Sequence, residues 1–597
     1  YLPQRFPLML TGGLILFAAW GAGTLLLELL GLRSLLLWAE QTAFAGGLGL
    51  AGLSLLMLVS GLAGVMDRGL AIAALLLAGL GGLAVVLRDR RQRAENSAAA
   101  GTHPASRLAD SIPGWLWASA LVVMLPFLLS ILLGSMLPST DFDVKEYHLQ
   151  GPKEFYQNGR IGFLPHNVYT SFPFLTEMLS LLAMVVHGDW MKGALAGKLV
   201  LSAFAPLSAL GLYAMGSRWH SAAAGLLAAM IFLTTPWVYR ISTIAYAEGG
   251  LSCYVLLSLA AGGLCLRELA EPSAAMRSRA CYTLPLLAGL LAGSGMACKY
   301  PGLISAVIPV GVLLLAGRLR TAETKIPQEH ALQEQTPQGD SPATIPLRPA
   351  ATEPVEAGAA GSTESIGKKR WRWPTRADAF YLLAFSAGVL LAVGPWLLKN
   401  LIETGNPVYP LAWTIFGGAD WDAALNGRWR AAHSPADYDV WRLLWFWTTD
   451  VTIRNDWLSA LLYALAPLAW FTRRHRLQVR WLWGILGWLF LSWWLLTHRL
   501  DRFWIPMIPV AALLAGIGAM SFRGRLWSMA CGTAVVLAAL FNLTIVTSGA
   551  AGYNALLIDL DYSLEWTAQR TARGVASLNQ LVPTDSLVLC VGEAQVF

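Results

Sequence analysis

Long apolar runs separated by short polar loops dominate the chain. A helix needs about 20 residues to cross the hydrocarbon of a bilayer. Runs near that length fall at 8–31, 45–63, 70–88, 114–137, 194–215, 220–238, 245–266, 283–298, 301–318, 379–399, 457–472, 481–497, 503–521 and 527–547. They lack the polar face that a helix on a water-soluble bundle needs. The pattern predicts an all-α polytopic membrane protein of about 14 transmembrane helices. One more apolar stretch, 172–187 (FPFLTEMLSLLAMVVH), breaks the count, because a crossing there would invert every later loop. It is predicted as an amphipathic or re-entrant juxtamembrane helix on the outer surface, with Glu177 on its polar side.

Lys and Arg in short loops set orientation. The clusters at Arg88–Arg93, Arg267 with Arg277 and Arg279, Lys368–Arg372, Arg473–Arg476 and Arg523 with Arg525 are predicted cytoplasmic. Alternation then places 138–193, 239–244, the 299–300 turn, 400–456, 498–502 and the tail after 548 outside. The expected location is the inner (plasma) membrane, crossed many times, with the active site on the periplasmic face.

The chain divides into N-terminal helices and a linker (1–113), a main membrane domain (114–547) and an outer soluble segment (548–597). Within 319–378, the stretch 321–367 is rich in Pro, Thr, Glu, Ala and Gly and reads as a disordered cytoplasmic linker. In the tail, a helix is expected from Ser563. The alternation over 585–592 then suggests a strand, the opening of a small α/β domain. The first residue is Tyr1 and the last two are Val596 and Phe597, so the sequence reads as part of a longer protein.

Composition agrees with the membrane reading: 56% of residues are hydrophobic and only 13% charged, too few for a water-facing surface of this length. The 26 Trp residues suit the headgroup level. Orientation signals account for the basic clusters, so no nucleic-acid partner is expected. The six cysteines form no CxxC pair and mostly lie in apolar runs, where Cys behaves as a small hydrophobe.

Ionisable groups at membrane level are costly and are functional candidates. Four outer segments carry them. Asp141 and Asp143 follow directly on a span, beside Lys145, Glu146, Tyr147 and His148. A carboxylate there can take a proton from an acceptor hydroxyl. The two together can hold a divalent cation with a phosphate, or simply cap a helix start. Glu248 opens an apolar span, with Arg240 as its structural partner in the plainer reading. Lys299, next to Tyr300 and Pro301, sits at a tight helical turn, as a phosphate ligand or as a lysine snorkelling to the interface. Finally 498–502 (HRLDR) packs His498, Arg499 and Arg502 into an outer loop, against the positive-inside bias. Carboxylates and cations gathered from four loops suit a phosphate leaving group and an acceptor needing deprotonation.

Several stretches in this order resemble a known family: 143–149 (DVKEYHL) with Pro152, Lys153 and 159–161 (GRI), then 173–177 (PFLTE). Further on come 235–236 (TP) with 245–248 (AYAE), 295–300 (GMACKY), 399–400 (KN) with 404–410 (TGNPVYP), and Arg502 and Phe503 with Pro506. The chain resembles the GT-C-type membrane glycosyltransferases, in the group of protein O-mannosyltransferases and lipid A aminoarabinose transferases. The resemblance implies a GT-C-like bundle that transfers a sugar from a polyprenyl-phosphate donor to a lipid, glycan or protein acceptor, with inversion. It implies an acidic base or acceptor-positioning group at Asp143, with Asp141 as rival, and a second acid at Glu248. It implies phosphate or substrate contacts at Lys299 and Arg502, with Arg499, Tyr300, Tyr147, His148 and Lys153 nearby. The long linker and the spans before 114 have no counterpart in the family pattern. A transporter or flippase of lipid-linked sugars, or a non-catalytic scaffold, are the alternatives. A transporter places its site near the bilayer midplane, often between repeats, whereas here the charges cluster at the outer surface.

Overall fold

The computed structural model describes residues 1–100, 112–270, 280–321, 375–435, 439–446, 448–449, 457–473, 475–548, 554–571, 581–583 and 586. Among these residues all regular structure is helical, and ten helices are long and apolar enough to cross a membrane. Each coincides with one of the predicted spans. The run at 220–238 is instead a bent pair, Ala222–Leu233 and Pro236–Thr243, meeting at 60°. The bend falls at Thr235 and Pro236, where proline removes a backbone donor. Three more runs form the shorter apolar helices Leu303–Leu319, Ala460–Phe471 and Met507–Ala519. Apolar composition marked these elements correctly but did not set their lengths.

Contacts near the helix ends fall into two sets. At one end Arg33 pairs with Asp89 at 2.8 Å, Arg218 pairs with Glu40, and Arg318 meets Asp378 at 2.5 Å. At the other, Ile161 N–H donates to the Gly61 carbonyl (2.9 Å), Trp237 N–H to that of Trp457 (2.9 Å), and Asn400 to that of Ser171 (2.7 Å). The second end carries all four charged segments and is called the site end below.

Close packing between spans rests on small residues, because lipid tails give helix association no hydrophobic drive. The helices Phe6–Leu29 and Trp38–Leu62 cross at two glycines. A Cβ on Gly49 would lie 1.6 Å from the Ala19 carbonyl oxygen, and one on Gly23 1.8 Å from that of Ala45.

The stretch 172–187 departs from expectation in one respect. It forms the helix Leu175–His187, about 20 Å long and too short to cross, yet all its residues but His187 are buried. It is no surface amphipath. It folds back on Trp190–Ser202 as a hairpin, with Gly193 against Met184 and Gly197 against Ser180. Glu177 therefore faces protein rather than water, only 3% exposed. In the tail the expected helix is present as Leu560–Thr571. The linker 321–367 beyond Thr321, and the strand expected over 585–592 apart from Ser586, lie outside the described residues.

Candidate active site

Chain breaks at helix ends bring the site residues together. The span Gly114–Ser135 ends before Pro138, and a single wide turn, Val144–His148, then leads into the helix Gln150–Asn158. Such π-type turns recur at functional sites; here one buries Tyr147 and His148 while Asp143 stays at its rim. Glu248 is the first residue of the helix Glu248–Ala270. Lys299 is the first residue of the break between Cys298 and Leu303, and Arg502 lies in the short turn Asp501–Trp504.

Four of these side chains form one ionic chain. Arg502 Nη2 donates to Asp143 Oδ2, and its Nε lies 3.6 Å from Glu248 Oε1. Lys299 Nζ donates to the same Glu248 oxygen at 2.9 Å. Two aromatic rings flank the cations. Phe503 lies 4.7 Å from the Lys299 ammonium and 5.5 Å from the Arg502 guanidinium, and Tyr246 lies 4.6 Å from Arg502. Burial opposes the charge on Arg502, but the Glu248 and Asp143 carboxylates outweigh it and hold its pKa above the usual value.

Beneath this chain lies a second pair. His148 Nδ1 is 2.5 Å from Glu177 Oε1, while Thr176 donates to the other Glu177 oxygen at 2.8 Å. Three buried atoms facing this region find no hydrogen-bond partner in the protein: Glu248 Oε2, His148 Nε2 and Arg502 Nε. Buried polar atoms are normally paired, so these three have capacity for further hydrogen bonds. Burial and Asp143 push the half-buried Glu146 up to about 7.

Lys299 and Glu248 stand at the head of a cavity of about 370 Å³ whose walls are otherwise largely apolar, among them Leu251, Met296, Leu489, Leu496 and Met507. Tyr300 lines its edge, its hydroxyl accepting from Asn400 at 3.1 Å. A separate space of about 800 Å³ lies on the other side of the 138–143 loop, lined by Asp141, Lys198, Arg240 and Ser548.

Some predicted site residues fall elsewhere. Glu248 pairs with Lys299 and Arg502, not with Arg240, whose guanidinium sits between the rings of Trp237 and Trp457 at 5.6 and 5.0 Å. Lys299 is thus an internal ion-pair partner rather than a snorkelling end. Lys153 lies over the Trp190 ring at 4.5 Å, and Arg499 over Trp494 at 3.6 Å; neither joins the ionic chain. Asp141 and Asp143 have different partners, Ser139 (2.9 Å) and Arg502, and of the two only Asp141 lines the 800 Å³ space. Among the described residues no group of three or more His, Cys, Asp or Glu side chains is placed to hold a metal ion. Tyr246, which flanks Arg502, and Phe503, which flanks both cations, fall within the motif stretches of the sequence, but no role is expected of their rings there. Their only signal was an aromatic beside each charged motif.

No family model matches the chain, and no curated protein matches it. Among solved structures it is similar to ArnT from Cupriavidus metallidurans in the apo state, with TM-score 0.46 and 14% identity over 78% of this chain and 70% of that one. It is similar to the same protein bound to undecaprenyl phosphate, with TM-score 0.46 and 14% identity over 79% and 73%. The oligosaccharyltransferase of Archaeoglobus fulgidus in the apo form gives TM-score 0.40 and 13% identity over 78% and 60%.

Proposed function

We propose that the chain is a membrane glycosyltransferase that takes a sugar from a polyprenyl-phosphate carrier and passes it to a hydroxyl-bearing acceptor. The observation that carries this reading is the ionic chain Asp143, Arg502, Glu248, Lys299, whose last two members line an apolar cavity. An isoprenoid tail suits the apolar walls, and its phosphate suits the two cations. Both cations are already paired with carboxylates, so an entering phosphate competes for Lys299 and Arg502 and loosens Arg502 from Asp143. Asp143 is then free to accept the proton of the acceptor hydroxyl. The acceptor oxygen bonds to the anomeric carbon as the bond from that carbon to the phosphate oxygen breaks. The polyprenyl phosphate leaves with the electron pair, its charge met by Lys299 and Arg502. One displacement with one base inverts the anomeric centre. Glu248 acts here as the anchor that keeps two like charges close together. The reading places the site on the periplasmic face of the inner membrane, where a lipid-linked donor is presented.

The test is transfer of labelled sugar from a polyprenyl-phosphate donor in membranes containing wild type, Asp143→Asn or Glu248→Gln. Loss of the base is expected to slow transfer by about 10²–10⁴-fold. Glu248→Gln is expected to weaken donor use as well, by leaving Lys299 and Arg502 to repel each other. Wild-type rates in both variants would sink the assignment. A transporter would move the carrier without consuming it.

A further inference from the structure

An arc of aromatic and imidazole rings rises from the ionic chain and returns to it. It starts at Phe503, which flanks both cations, and passes to His498 with ring centres 5.2 Å apart. His433 follows at 5.3 Å, stacked on Trp429 at 3.9 Å with an interplanar angle of 17°. Trp429 meets Tyr169 at 5.3 Å, and Tyr169 stacks on Tyr147 at 4.7 Å, four residues from Asp143. Both ends of the arc therefore reach the place where the cations and the base meet. Trp429 and His433 come from the helix Ala423–His433, one turn apart, and this helix buries no residue of its own. Each of the two nevertheless keeps only part of its surface exposed.

Two polar rings of the arc, His498 and Tyr169, are uncharged at ordinary pH. Burial, with His433, Lys299 and Arg502 nearby, lowers His498 to about 4, so its ring is neutral at ordinary pH. Burial and the Glu146 and Asp143 carboxylates hold the Tyr169 hydroxyl protonated up to about 12. Neutral rings offer electron-rich faces, which attract the partly positive C–H bonds on one face of a pyranose ring. Their N–H and O–H groups add hydrogen bonds. A sugar joined directly to a phosphate held by Lys299 and Arg502 lies within one or two bonds of those cations, where the arc begins.

We propose that Trp429 and His433, with Tyr169 and His498, form the subsite for the transferred sugar, and that it takes an uncharged pyranosyl group. This rests on the carrier reading above and adds the group that the carrier delivers. The helix Ala423–His433 then supplies recognition, while the ionic chain supplies phosphate binding and proton transfer.

Equilibrium binding of undecaprenyl phosphate, bare or carrying glucose or mannose, to the purified full chain separates the two claims. Wild type is expected to bind at least one glycosylated form about tenfold more tightly than the bare carrier, the equivalent of ~1.4 kcal/mol. In Trp429→Ala that gain should vanish while bare carrier still binds, which also shows that the variant is folded. Trp429→Phe should recover most of the gain, and His433→Ala should lose part of it. Absence of a sugar-dependent gain in wild type, or its retention in both alanine variants, would overturn the subsite alone. Wild type that binds neither form would sink the carrier reading and this one with it.

Discussion

Glu146 is a carboxyl group in the site loop whose charge depends on the fold. Burial and Asp143 raise it from 4.5 to about 7. Between those values the folded chain keeps a proton that the unfolded chain has lost. Stability from this group is therefore full at low pH and falls as pH rises through that window. Glu146→Gln removes the dependence. The wild-type melting temperature is expected to drop relative to that of Glu146→Gln between about pH 5 and pH 8. A constant difference across that range would refute the assignment. Single residues also show what charge placement alone conveys. Asp143, Glu248, Lys299 and Arg502 stand out in the sequence because a charge beside an apolar run is costly wherever it ends up. The same test drew in Lys153 and Arg499, whose cations settle over Trp190 and Trp494. Cost identifies a residue that needs a partner and is silent on which partner it finds.

Helices show the complementary case. Hydropathy located the long apolar ones and also Leu175–His187, but the predicted polar face of that helix is absent because Glu177 is satisfied by His148 and Thr176 inside the protein. A lone carboxylate in an apolar stretch looks the same in sequence whether it meets water or a buried imidazole. Helix crossings depend on glycines in a way that can be measured. Gly49→Ala sets a methyl against the Ala19 carbonyl, a backbone atom that no rotamer change can move. The crossing must open, at a cost of about 1–3 kcal/mol. Gly52→Ala, on the same helix with nothing within 4 Å, should be neutral or stabilise by up to ~1 kcal/mol. Melting of the two variants in detergent compares them directly, and equal midpoints would disprove the close-crossing account.

At the scale of the molecule, the expected alternation of the loops makes a prediction about sidedness. Thr140 is exposed at the site end, and Arg523 is exposed in a basic cluster at the opposite end. In a cysteine-free background, a membrane-impermeant maleimide should label Thr140→Cys in intact spheroplasts. Arg523→Cys should react only after lysis. The reverse pattern would place the site on the cytoplasmic face and remove the proposed donor geometry. The site itself is a property of the whole chain. Asp143 and Arg502 are 359 residues apart, and their contact requires the spans between them to return to the same end in the right order.

Hydropathy and charge are local quantities, paid for residue by residue in water or lipid. By itself the sequence therefore determined the polytopic membrane class, the positions of the apolar helices and the short set of charged residues with no cheap exposed home. Only the tertiary structure decided which of those charges meet. It paired Glu248 with Lys299 and Arg502 rather than Arg240, gave Asp141 and Asp143 different partners, and buried Glu177 against His148. It also drew Trp429 and His433 from an exposed, unremarked helix to the rim of the site. The physical reason is that pair energies fall off within a few ångströms, and those separations exist only once distant helix ends have packed together.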